Sequence, residues 1–224
     1  MERHVTTAAR WVASMAAGLL LAAPVARGDE AGGKEGGAGH AHCHPAAAAA
    51  SAPDAEQGTA RYKRSERRYA VPDVTLVDEA GRTVRLRELL AGDEPVMVNF
   101  IFTTCQVICP VMSRIFAGVQ RELGPEAARV RLVSISIDPE QDTPERLRAY
   151  AARFGAGPGW TFLTGRIQDV VAVERAFDAY LGDKMNHRPV TLLRQRQDRP
   201  WVRLDGFASP ADLAREYHQQ VASR

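Results

Sequence analysis

The 224-residue chain has only three cysteines and six histidines, and each scarcity narrows the chemistry open to it. A structural zinc site takes four nitrogen or sulfur ligands, and there is no second cysteine pair to complete one. A net charge of +2 supplies no basic surface for nucleic acid or for an anionic membrane. After the opening residues, no apolar run approaches the roughly 18–20 residues that a spanning helix requires. Internal repeats are also absent.

The opening segment reads as an export signal. Arg3, His4 and Arg10 give it a basic start, and Trp11 to Ala23 is apolar apart from Ser14. Ala26-Arg27-Gly28 then offers small residues around a cleavage point. Residues 1–28 are therefore expected to be a signal peptide, with an uncleaved anchor as the alternative. No cysteine follows closely enough to carry a lipid. Export would place the chain in the periplasm or an equivalent oxidising compartment. There a dithiol must be held reduced or be occupied by metal.

Residues 29–68 shift to low complexity, with Gly32-Gly33, Gly36-Gly37 and Ala46 to Ala50, and read as a flexible tether. Within the tether, His40-Ala41-His42-Cys43-His44 gathers four metal-binding residue types into five positions. Cys43 has an intermolecular disulfide as its other reading. The folded domain is expected from Tyr69 to the end.

Alternation and punctuation give the order of elements in that domain. Val74–Val77 and Thr83–Leu86 flank Asp78-Glu79-Ala80-Gly81 as a hairpin, followed by a helical turn over Arg87–Leu90. Pro95–Phe102 and Val130–Ile137 read as strands buried on both faces. Pro110 opens a helix to Leu123 with Val111, Ile115, Val119 and Leu123 on one face. Thr143-Pro144-Glu145 caps a helix to Phe154, Trp160–Leu163 is a strand, and Asp169–Tyr180 a helix with Val173 and Phe177 inward. Val190–Leu193 and Trp201–Leu204 pair antiparallel, and Ser209-Pro210 opens the last helix. This order predicts an α/β fold of the thioredoxin-like kind: an N-terminal β-hairpin and a central mixed sheet flanked by helices.

The chemistry concentrates where the strand Pro95–Phe102 meets the helix at Pro110. Cys105 and Cys109 stand one helical turn apart, so both can face one point. At a helix entrance, backbone amides are expected to lower a thiol's pKa. Two thiolates so placed suit Cu(I), and they equally suit a disulfide. A purely structural pair is the plain alternative. Thioredoxin-type oxidoreductases have two intervening residues, whereas here there are three.

Phe102-Thr103-Thr104-Cys105, Cys109-Pro110, and the later run Val133-Ser134-Ile135-Ser136-Ile137-Asp138-Pro139-Glu140 with Asp142-Thr143-Pro144 resemble the Sco/SenC family of copper metallochaperones. The resemblance covers Tyr69 to the C-terminus. It implies a thioredoxin fold and copper, as Cu(I) or Cu(II), held by Cys105, Cys109 and His187. It also implies a CuA-containing subunit of cytochrome c oxidase as acceptor, with another copper chaperone as a candidate donor. Membrane association would come through the N-terminal segment.

His187 precedes the strand Val190–Leu193, where the family has its histidine. Asn186 stands where the family usually has Asp, and Asp183 lies four residues back. Pro189 is read either as the cis-proline of thioredoxin folds or as an ordinary trans residue. Asp138 and Asp142 fit the family's motif and read as turn and cap formers, with a loop carboxylate near the metal as the alternative, and His218 reads as a solvated helix residue. His40, His42, Cys43 and His44 become an accessory copper-collecting site. Rival functions are a thiol–disulfide reductase cycling Cys105 and Cys109, and a peroxidase with a single attacking thiolate.

Overall fold

The computed structural model describes residues 61–222. The expected signal peptide and the His40–His44 cluster lie outside the described residues.

Six consecutive buried residues form β4 (Val96–Ile101). Met97 and Ile101 meet one core, while Val96, Val98 and Phe100 meet the other. That accounts for a continuous apolar run rather than an alternating one. The remaining strands are β1 (Tyr62–Arg67), β2 (Thr75–Asp78), β3 (Thr83–Arg85), β5 (Arg131–Ser136), β6 (Trp160–Thr164), β7 (Val190–Arg194) and β8 (Trp201–Gly206). They form one eight-stranded sheet in the order β1-β8-β7-β4-β5-β6-β2-β3. β4 pairs in parallel with β5, and β5 with β6. The other pairings are antiparallel, including β4 with β7. The fold is the expected mixed α/β sheet with helices on both faces.

Among the described residues five α-helices complete it: α1 (Leu86–Leu89), α2 (Ile108–Leu123), α3 (Pro144–Arg153), α4 (Ile167–Ala176) and α5 (Pro210–Ala222). α2, α3 and α5 contribute to the core containing Phe116, Trp160 and Phe162. α4 contributes Val170 and Val173 to the other, where Phe177 packs edge-on against Trp201. A fully buried side chain of this size contributes about 1.5–3 kcal/mol.

Local chemistry fixes the boundaries. Thr143 caps α3 by accepting the Arg146 amide at 3.3 Å. Ser209 and Asp212 cap α5 reciprocally, each side chain accepting the other's amide. In the hairpin turn, Asp78 accepts the amides of Ala80 and Arg82. Gly118 lets α2 approach α5, because a Cβ there would stand 2.5 Å from Pro210 Cγ.

Three expectations are corrected. The domain starts before Tyr69: β1 pairs with β8 from Tyr62↔Gly206 to Arg67↔Trp201. Its composition, mostly charged, conceals an edge strand with one solvated face. α2 begins at Ile108 rather than Pro110, and Val111 is exposed while Met112 takes the inward position. The fourth helix covers Ile167–Ala176, so Tyr180 lies beyond its end. Among the described residues no peptide bond is cis, so Pro189 is trans. No helix among them is long and apolar enough to cross a membrane.

Candidate metal centre

β4 ends at Ile101, and the chain turns through Thr103 and Thr104 before entering α2. Cys105 sits in this turn, half-buried, with its amide donated to the Phe102 carbonyl at 3.2 Å. Cys109 occupies the first turn of α2 and is fully buried. Its amide donates to Cys105 Sγ at 3.3 Å, and Cys109 Sγ accepts the Phe102 amide at 3.3 Å. Both thiols are free.

His187 arrives from the opposite side, out of the short 3₁₀ turn Lys184–Asn186 that precedes β7. Its Nε2 lies 3.4 Å from Cys109 Sγ and 4.0 Å from Cys105 Sγ. All three ligand atoms fall within 4.8 Å of one another. With bonds of about 2.3 Å to sulfur and about 2.0 Å to nitrogen, trigonal ligands around one ion would stand about 3.7–4.0 Å apart. The donor set therefore fits a soft ion with little rearrangement.

Burial acts differently on the two kinds of ligand. It pushes the Cys109 thiol well above its ordinary range, outweighing the Phe102 amide that favours the thiolate. The helix entrance was expected to lower this thiol's pKa; the loss of hydration at a fully buried sulfur is the larger effect. Burial also lowers the pKa of His187, against the Lys184 hydrogen bond that raises it. A lowered pKa favours neutral imidazole, the ligating form. Its Nδ1 is 2.8 Å from the Lys184 carbonyl. A carbonyl only accepts, so Nδ1 carries the proton and Nε2 presents its lone pair to the sulfurs. A backbone carbonyl thus does the orienting expected of a carboxylate, and Asn186 at the preceding position costs nothing in this respect. Asp183 instead caps the 3₁₀ turn through the Met185 amide at 2.9 Å.

The β5–α3 loop holds both halves of the site. Asp142 is fully buried and accepts the Thr103 amide at 3.1 Å, the Thr103 hydroxyl, and the Ser136 hydroxyl at 2.6 Å. Asp138 accepts Lys184 Nζ at 2.6 Å, fixing the segment that carries His187. Phe102 fills the space between, edge-on to His187 at 5.0 Å and beneath Lys184 Nζ at 5.8 Å. Sequence reasoning favoured turn and cap roles for the two acids over a carboxylate near the metal. The Asp138 carbonyl does make that turn, accepting the Gln141 and Asp142 amides. The side chains reach further, to partners 39 and 46 positions away, which spacing does not disclose. His218 pairs loosely with Glu126 at 3.6 Å, exposed and away from these ligands.

A family model described as SCO1/SenC matches residues 63–222. The SCO1 protein homolog of Bacillus subtilis (strain 168) is 38% identical over 104 residues, which are 46% of this chain and 53% of that protein. Protein SenC of Rhodobacter capsulatus is 30% identical over 119 residues, 53% of this chain and 52% of that one. The chain spans about half the length of the curated relatives it matches. Among solved structures, BsSco, a member of the Sco family of cytochrome c oxidase assembly proteins with an identified disulfide switch, is 27% identical with a TM-score of 0.61. That match covers 71% of this chain and 98% of BsSco. Bradyrhizobium japonicum ScoI, solved with copper bound, shares the fold at 24% identity and a TM-score of 0.57. It is matched over 67% of this chain and 99% of its own.

Proposed function

The chain belongs to the SCO1/SenC family, and on that premise we propose that it is an exported copper metallochaperone delivering copper to the CuA site of a cytochrome c oxidase. The observation that carries this reading is the convergence of Cys105 Sγ, Cys109 Sγ and His187 Nε2 within 4.8 Å. Two thiolates hold Cu(I), and the imidazole extends the site to Cu(II). A relative solved with copper bound supports the choice of metal.

The unequal burial of the two cysteines gives transfer an order. Cys105 is half-buried and reachable, so an acceptor thiolate replaces it first. Cys109 is fully buried and releases copper last, regaining the proton that burial favours. The flexible tether, expected over residues 29–68 and shortened at its end by β1, would let the domain reach a membrane-embedded acceptor, with His40, His42, Cys43 and His44 collecting copper on the way. Deleting residues 40–44 should slow loading of the main site; unchanged loading ends the collecting role.

The test is copper bound per chain by the reduced protein lacking residues 40–44, so that only the main site is counted. One copper is expected, lost in Cys105→Ser and in Cys109→Ser. Undiminished binding in both variants would falsify the reading. The same pair of free thiols also supports a second reading, and the disulfide switch of BsSco favours keeping it. In that reading Cys105 attacks an acceptor disulfide and Cys109 displaces the mixed disulfide. The acceptor gains two thiols as this chain gains one disulfide. His187→Ala separates the two readings: it disables metal transfer and spares thiol exchange.

A further inference from the structure

Six large apolar side chains are exposed among the described residues: Val107, Val111, Ile167, Tyr180, Leu181 and Met185. They are not scattered. Val107 and Val111 flank Cys109 in sequence, and Met185 lies two residues before His187. The other three line a cavity of about 510 Å³ whose wall includes His187 itself. Exposed apolar groups gathered in this way mark contact surfaces.

The same cavity contains an unmatched charge. Glu174, on α4, lines it while only 7% exposed. Its carboxyl has no hydrogen-bond or ion-pair partner among the described residues, and burial pushes its pKa up to about 7. The other charged groups of the wall are Asp138, Glu140, Asp183 and Lys184. Lys184 is engaged by Asp138, so Glu140, Glu174 and Asp183 leave the cavity acidic. A buried carboxylate without a partner is costly, and a cation brought by a ligand removes that cost.

We propose that this cavity is a docking socket for an aliphatic cationic side chain, lysine or arginine, of the protein that exchanges copper with this chain. The proposal rests on the copper reading above. The apolar stem lies along Val170, Val171 and Leu181, and the charged head reaches Glu174. Seating such an anchor beside His187 brings the partner's own ligands against the reachable sulfur of Cys105. The exposed Val107, Val111 and Met185 supply the rest of the contact.

The test titrates the full-length, reduced, copper-loaded protein with n-butylammonium and with its neutral analogue n-butanol, following backbone NMR shifts. Saturable shifts at Glu174 and Leu181 are expected for the cation. They should be at least tenfold weaker for n-butanol and for Glu174→Gln. Leu181→Lys, an exposed substitution that supplies the cation internally, should abolish them. Saturating n-butylammonium should also slow copper transfer to a soluble CuA domain several-fold. Equal binding of n-butanol, unchanged binding by either variant, or unchanged transfer overturns the socket. Copper per chain is read separately, so failure of the copper reading gives a different result from failure of the socket.

Discussion

Asp142, fully buried within the loop after β5, holds Thr103 by its backbone amide and its hydroxyl. The cysteine turn is therefore anchored by a carboxylate 39 positions further along the chain. An asparagine there would offer an amide hydrogen where every neighbour is already a donor.

Asp142→Asn should therefore lower stability by about 1–3 kcal/mol through an unsatisfied buried group. It should also weaken copper binding about ten- to hundred-fold, as loss of an orienting partner around a metal does. Denaturant unfolding and competition with a Cu(I) chelator measure the two effects. Full affinity in a destabilised variant would make Asp142 a prop for the fold alone.

Lys184 acts on His187 from both ends, through its carbonyl to Nδ1 and its ammonium to Asp138. Lys184→Met keeps the first contact and removes the second. The ring should then wander, and Cu(II), which depends on the imidazole, should suffer more than Cu(I). A broadened Cu(II) EPR signal and a several-fold loss of Cu(II) affinity are expected. Equal loss for both oxidation states would contradict a role specific to the ring.

Copper must displace a proton from Cys109, because burial keeps that thiol protonated at neutral pH. Binding should release at least about one proton per copper, and apparent affinity should rise with pH across the neutral range. Chelator competition at several pH values reads the slope. A flat profile would mean that the sulfur is already a thiolate.

Much of the fold and of the site was legible in the sequence, for physical reasons that differ by element. β4 and β5 declare themselves because strands covered on both faces must be apolar throughout. α3 and α5 declare themselves through Thr143 and Ser209, whose side chains answer free amides. Cys105 and Cys109 were legible as a pair by their spacing, but His187 needed the family resemblance, since a lone loop histidine carries no pattern. Asp138, Asp142 and Lys184 were not legible as partners of the site, because they act across folded distance. Glu174 gave no signal at all. Its helix position is unremarkable until α4 turns it into the cavity.

β1 escaped the sequence for another reason. Its side chains are mostly solvated, and what commits it to the sheet is its backbone pairing with β8 and the Arg64–Glu216 ion pair at 3.0 Å. A chain beginning at Tyr69 should fold less stably, with β8 left as an uncovered edge. A melting point lowered by several degrees and a greater tendency to aggregate are expected. An unchanged melting point would show β1 to be dispensable.

Glu174 makes the stability of the fold depend on pH in a direction opposite to that of a salt-bridged acid. Its carboxyl has a pKa of about 7 in the folded chain against an ordinary 4.5, with burial as the cause. Between those values the folded state binds more protons than the unfolded state, so raising the pH through this window removes stability. Below the window both states are protonated and the penalty vanishes. The full shift corresponds to about 3 kcal/mol, and water in the open cavity screens it to about 1–2 kcal/mol. Glutamine cannot ionise, so Glu174→Gln should be more stable than the parent by about that amount at pH 8, with the advantage fading by pH 4. Denaturant unfolding at the two pH values measures it. A variant that is equally stable, or less stable, at pH 8 would mean that Glu174 is already paired in solution, and that the socket beside His187 does not stand open.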